Sequence, residues 1–221
     1  DGWLVVRGNH EEYVIERAAA EAPILPQDND VFGAVDWTRR SLGKRVANLP
    51  DLPTELRLVT SAGEIFLTHG SLLGSRDGIY PHSTDEELRK KVELESLVFA
   101  VGHTHRPFNR RFNGCMVVNA GSVGMPFDGD PRPAYAQIEI LKDQVYAKIV
   151  RISYDQAAAE KDFALSGFMD GSGPIGRIVL DEFRVSLPRL AAWTMKYHEA
   201  VLTGKLTVSQ SVDSFLSELA T

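Results

Sequence analysis

Two histidines two residues apart, His103 and His105 of Gly102-His103-Thr104-His105, directly follow the apolar run Leu97-Val98-Phe99-Ala100-Val101. Imidazole is a common ligand for divalent transition metals. On a strand, positions i and i+2 face the same way, whereas in a turn beyond the strand they can face two neighbouring ions. An isolated His-Xaa-His is more often an ordinary polar loop, so the pair needs partners. Gly8-Asn9-His10-Glu11 and Thr68-His69-Gly70 supply them, each at the end of an apolar run. Taken alone, Gly8-Asn9 is turn chemistry, Glu11 suits a helix start, and His69 is a hydrogen-bonded loop histidine. Taken together, the three blocks put four of the six histidines at the ends of expected strands. Open α/β sheets place ligand sites there.

The elements that must position these residues can be read from periodicity and breakers. Trp3 to Val6 reads as a short buried strand turned sharply by Gly8-Asn9. A helix is expected from Glu11 to Ala20, ended by Pro23 and Pro26, and an amphipathic one from Phe32 to Ala47. Leu56–Thr60 and Glu64–Thr68 form a hairpin around Ser61-Ala62-Gly63. The loop from Leu72 to His82 could form part of a substrate rim. Ser83 or Thr84 caps a helix reaching about Glu95. After His105, strands at 108–112 and 115–118 meet at Asn113-Gly114, and strands at 134–141 and 145–152 meet at Lys142-Asp143-Gln144. Helices are expected at 156–165, 188–202 and 207–219, with Ser166 to Gly176 a glycine-rich linker.

Composition sets the class. The chain has 221 residues, 43% hydrophobic and 24% charged, as in an ordinary globular protein, and suits one domain with a modest appendage. A formal charge of -6 argues against a broad nucleic-acid footprint. The single Cys115 cannot form an internal disulfide, which fits a reducing, cytoplasmic setting, and no apolar run approaches membrane-spanning length. Arg7 and Arg106 adjoin the motifs but read as structural arginines, while His82 and His198 read as loop and surface residues.

In the order of its blocks the chain resembles the calcineurin-like metallophosphoesterases. Their motifs are an Asp-Xaa-His block, a Gly-Asp block, Gly-Asn-His-[Asp/Glu], a later His, and Gly-His-Xaa-His; the last three stand here as Gly8-Asn9-His10-Glu11, His69 and Gly102-His103-Thr104-His105. The resemblance runs from about Trp3 to Ile152. With Val118-Asn119-Ala120-Gly121-Ser122 it looks most like the compact bacterial and archaeal phosphodiesterase branch.

The resemblance implies an α/β fold: a calcineurin-like αββα sandwich of two mixed sheets flanked by helices, with N-terminal strands missing. It divides the chain into a metallophosphoesterase domain over residues 1–154 and a C-terminal helical extension over 155–221. It further implies that Asn9, His69 and His103 bind one divalent ion, that His105 binds a second, and that His10 is the general acid. Glu11 would orient His10 or the turn. The implied cofactors are two divalent ions, Mn, Fe, Zn or Ni, of which the second has one ligand here. The chain starts at Asp1 directly in an apolar run, so the two earlier blocks are expected upstream of it.

The implied activity is hydrolysis of phosphodiester or phosphomonoester bonds by a metal-activated hydroxide. The expected partner is a phosphorylated small molecule or nucleotide, with no membrane; the C-terminal helices leave a homo-oligomer open. The competing class is a non-catalytic protein-interaction scaffold on the same fold. Retention of His10 and of the downstream ligand set favours the enzyme.

Overall fold

The hairpin expected at Ser61-Ala62-Gly63 is the start of the sheet. In the computed structural model, which describes residues 2–19, 30–142 and 144–220, β1 (Glu55–Thr60) and β2 (Gly63–Thr68) pair antiparallel with Thr60 opposite Gly63. β3 (Val98–Val101) runs parallel to β2 and to β5 (Cys115–Asn119), while β4 (Phe108–Phe112) pairs antiparallel with β5. The order β1-β2-β3-β5-β4 makes a mixed five-stranded sheet. Asn113 and Gly114 both take positive φ, as a two-residue hairpin turn demands.

Alternation along the central strands supplies two faces. Phe99, Val101 and Val117 join Phe66, Ile79, Leu88 and Cys115 on one side. Val98, Met116 and Val118 meet Val145 on the other, packed by Ile138, Ile140 and Ile149. Those residues belong to the hairpin of β6 (Ala134–Leu141) and β7 (Gln144–Arg151), a two-stranded antiparallel second layer; Asp143 lies outside the described residues.

The chain divides into two compact units: Asp1–Glu12 with Asn48–Tyr154, and Tyr13–Ala47 with Asp155–Thr221. The first holds the sheets, and with them α3 (Asp85–Lys91), set by a Thr84/Glu87 capping box. α1 (Asn9–Ala19) begins in this unit; Pro23 and Pro26 lie outside the described residues. Trp3-Leu4-Val5-Val6 is not a strand: Trp3 is 85% exposed, and no ladder among the described residues includes the run. Apolarity makes a strand only where an edge is available to pair with it.

The second unit is helical. α2 (Gly33–Leu42) ends where Gly43 takes a positive φ, and a 3₁₀ segment (Gly43–Asp51) replaces the expected continuation. The C-terminal helices are α4 (Gln156–Leu165), α5 (Phe168–Gly171), α6 (Ile175–Val185), α7 (Arg189–Leu202) and α8 (Val208–Leu219). Their core holds Ile175, Ile178, Trp193, Tyr197, Val201, Val208, Val212 and Phe215, spaced at helical intervals. The buried Trp193 Nε1 donates to Ser211 Oγ at 3.1 Å. α6 stands where the sequence predicts no helix. Its Glu182, 5% exposed, accepts the backbone N–H of Leu190 in the first turn of α7, a donor that the side chain of Pro188 at the N-cap does not satisfy. No helix among the described residues is long and apolar enough to cross a membrane.

Candidate functional site

β2 and β3 are parallel neighbours, so their C-terminal ends leave the sheet side by side. The N–H of Gly102 donates to the carbonyl of His69 at 2.9 Å, tying the two exits together. Asn9 opens α1, and the turn before it is fixed by Glu11, whose carboxylate accepts the Gly8 N–H at 2.7 Å. Gly8 must be glycine here: a Cβ would stand 2.7 Å from His69 Nδ1.

These three exits converge. Asn9 Oδ1 stands 2.8 Å from His69 Nε2 and 3.3 Å from His103 Nδ1, and the His69 and His103 rings lie 5.3 Å apart. Of the two geometries open to His-Xaa-His, the turn is the one adopted. His103 and His105 have φ of 59° and 55°, with buried Thr104 between them. His105 points elsewhere: its Nδ1–H donates to the carbonyl of Met125 at 2.6 Å and its ring stacks on Phe127, centroids 4.6 Å apart. That bond commits Nδ1 and leaves Nε2 as the ring nitrogen with a free lone pair.

The left-handed conformation costs a residue with a Cβ about 1–2 kcal/mol. Asn119, fully buried at the end of β5, opposes that cost. Its Nδ2 donates to Gly102 O at 2.6 Å and to Thr104 Oγ1 at 2.9 Å, while its Oδ1 accepts the Gly121 N–H at 2.9 Å. In the sequence Asn119 reads only as part of a polar turn, Asn119-Ala120-Gly121-Ser122. The available signal was an asparagine closing an otherwise apolar strand.

His10 lies on the first turn of α1, open to solvent on one side. Its charge is felt by His69, His103 and His105, which puts the four imidazoles in one electrostatic neighbourhood. Burial lowers the pKa of His10, with Glu11 opposing. Burial, reinforced by His103, pushes His69 down to about 4. Burial also lowers His103 against the pull of Asp77, and His105 against its bond to Met125. Near neutrality His69 is therefore the neutral base that a metal requires.

Arg7 and Arg106 are tied to backbone, through Pro50 O at 3.0 Å and Phe127 O at 3.0 Å, and Cys115 is buried. No group of three or more His, Cys, Asp or Glu side chains among the described residues is placed to hold a metal. Among the described residues the cluster offers imidazoles and an amide.

The calcineurin-like phosphoesterase superfamily domain matches residues 3–143. Hypothetical protein PH1004 from Pyrococcus horikoshii OT3 superposes with a TM-score of 0.61 at 21% identity, over 76% of this chain and 69% of its own. A metallophosphoesterase from Sphaerobacter thermophilus gives 0.58 at 22% identity, over 82% and 76%. At such identities the two structures show a shared fold. No curated protein matches at a significant level. The matched stretch contains every strand of the five-stranded sheet and the three exits that converge at its end, and the chain belongs to the calcineurin-like phosphoesterase superfamily.

Proposed function

We propose that the protein is a metal-dependent phosphoesterase acting on phosphodiester or phosphomonoester bonds. The observation that carries this reading is the convergence of Asn9 Oδ1, His69 Nε2 and His103 Nδ1 from three separate elements. An amide oxygen and two neutral imidazoles fit a borderline divalent ion, Mn, Fe, Zn or Ni. His105, held through Nδ1, would give one donor to a second ion. Bound there, such ions would neutralise phosphoryl oxygens and acidify a water.

The chain's own residues do the rest. Glu11 fixes the turn that presents His10. A phosphate anion against the His10 ring favours its charged form, opposing the effect of burial. The imidazolium then gives its ring proton to the departing alkoxide, which otherwise leaves as a strong base. Asn9, His69 and His103 keep their positions because strand ends and a helix start, not a free loop, carry them.

The test is hydrolysis of bis-p-nitrophenyl phosphate and p-nitrophenyl phosphate by protein purified with Mn²⁺. Turnover above the metal-only background is expected. Silence on a panel of mono- and diesters would sink the enzyme reading. A well-folded protein with that outcome would instead be a protein-interaction scaffold on the same fold.

Asn119 gives a second check. Asn119→Ala removes two bonds to the turn that sets His103 and His105, and a third that holds Gly121. Mn²⁺ affinity measured by titration calorimetry should fall roughly 10- to 100-fold, the range for groups that orient ligands. An unchanged affinity would show that the turn holds itself.

A further inference from the structure

Beside the histidine cluster stands a pair of rings that the proposed chemistry does not use. Tyr80, 37% exposed, and exposed His82 stack with centroids 5.4 Å apart and planes 27° from parallel. Large exposed rings usually ride on mobile loops, but this pair is anchored. Ile79, immediately before it, is fully buried in the sheet core. The Tyr80 N–H donates to Ser83 Oγ at 3.1 Å, the Ser83 N–H returns to Tyr80 O at 3.0 Å, and Arg110 grips Ser83 O at 2.7 Å. Lys91 holds the same loop by Asp77 and Gly78 O, at 2.8 and 2.9 Å.

The pair is also close to the cluster. A Cβ on Gly78 would lie 3.2 Å from Tyr80 Cε2 and 3.3 Å from His103 Cδ2, so the two rings are about a side chain's width apart. The Arg106 guanidinium carbon is 6.0 Å from the Tyr80 centroid, and Arg106 Nε is bound to the carbonyl of Phe127, the residue stacked on His105. A rigid planar surface, a cation and a metal-type cluster thus stand together. Such a surface suits a ring of the substrate, because stacking orients a flat group without requiring one hydrogen-bond pattern.

We propose that Tyr80 and His82 form the platform for the nucleobase of a nucleotide substrate whose phosphate lies at the Asn9, His69 and His103 cluster. The phosphate end rests on the phosphoesterase reading above; the base end does not. The acidic chain disfavours a polynucleotide track, so the occupant is a single nucleotide or its ester.

The test measures binding, so its failure is separable from absence of turnover. Adenosine monophosphate, ribose 5-phosphate and phenyl phosphate are titrated calorimetrically into the full chain with Mn²⁺. Adenosine monophosphate should bind about tenfold more tightly than ribose 5-phosphate, the scale of one stacked base. Tyr80→Ala should erase that difference while leaving ribose 5-phosphate unchanged, and Tyr80→Phe should keep it. No binding of adenosine monophosphate, equal affinities for the two sugars, or equal losses for both in Tyr80→Ala would overturn the proposal. Phenyl phosphate binding as well as adenosine monophosphate would overturn the nucleotide assignment. A Tyr80-dependent difference without hydrolysis of any ester would count against the enzyme reading alone.

Discussion

His10→Ala is expected to lower kcat on an alkyl phosphodiester by roughly 10² to 10⁴, the range of a positioned general acid, with bound Mn²⁺ unchanged. The separation of the two readouts follows from the geometry. Asn9, His69 and His103 meet around one oxygen and His105 is tied to Met125, so the assigned ligand positions are filled by these four residues and the leaving-group proton is assigned to His10. With a p-nitrophenyl ester the loss should be smaller, because p-nitrophenolate is a weak base that leaves without help. Metal content by elemental analysis, beside steady-state rates on the two esters, decides the matter. Equal losses on both esters would remove the proton-transfer role, and loss of metal would make His10 a ligand.

The second large effect concerns stability. Burial pushes the Glu182 carboxyl from 4.5 up to about 7, with the Leu190 and Arg189 backbone groups and the Arg189 charge opposing and Asp181 adding to the rise. Between those values the folded chain holds a proton that the unfolded chain has released. Its contribution is therefore fully present below pH 4.5 and is lost as pH rises through about 7. The amount is on the order of 3 kcal/mol. His10, His69, His103 and His105, all held below 6.5, tilt stability the opposite way. The informative quantity is thus the difference between wild type and Glu182→Gln, which keeps an acceptor for Leu190 and cannot ionise. In urea unfolding the variant should gain on wild type between about pH 5 and about pH 8. A constant difference across that range would show that Glu182 keeps an ordinary pKa.

Local features were the most legible ones. Asn113-Gly114 specifies its hairpin through the φ values that only such residues accept cheaply, and Thr84 with Glu87 specifies a helix start. α6 was not read, because Gly173 and Pro174 look like a continuing linker. Pro174 is instead the N-cap, at the start of a helix where a missing N–H costs nothing. Trp3 to Val6 failed for the opposite reason: its pattern is local, but pairing is not.

The site divides along the same line. His69, His103 and His105 could be picked out at strand ends, because apolar runs followed by polar blocks mark those ends, whereas the run before His10 is not a strand. That Asn9 and His69 share a bond, or that Asn119 grips Gly102, depends on which strands become neighbours. Adjacency of β3 and β5 is a property of the folded sheet, and spacing along the chain does not encode it.

The helical unit takes Tyr13–Ala47 from near the start of the chain and Asp155–Thr221 from its end. During vectorial synthesis the first piece therefore emerges long before its partners. At roughly 5–20 residues per second, the intervening sheet unit occupies the ribosome for several seconds. Throughout that interval Gly33 lacks the Ser172 carbonyl against which it later packs, and Trp37 lacks the Phe168 ring, 5.1 Å away in the finished fold. A nascent chain stalled once β7 has left the ribosome should accordingly carry β1 to β7 paired and the helical unit unfinished.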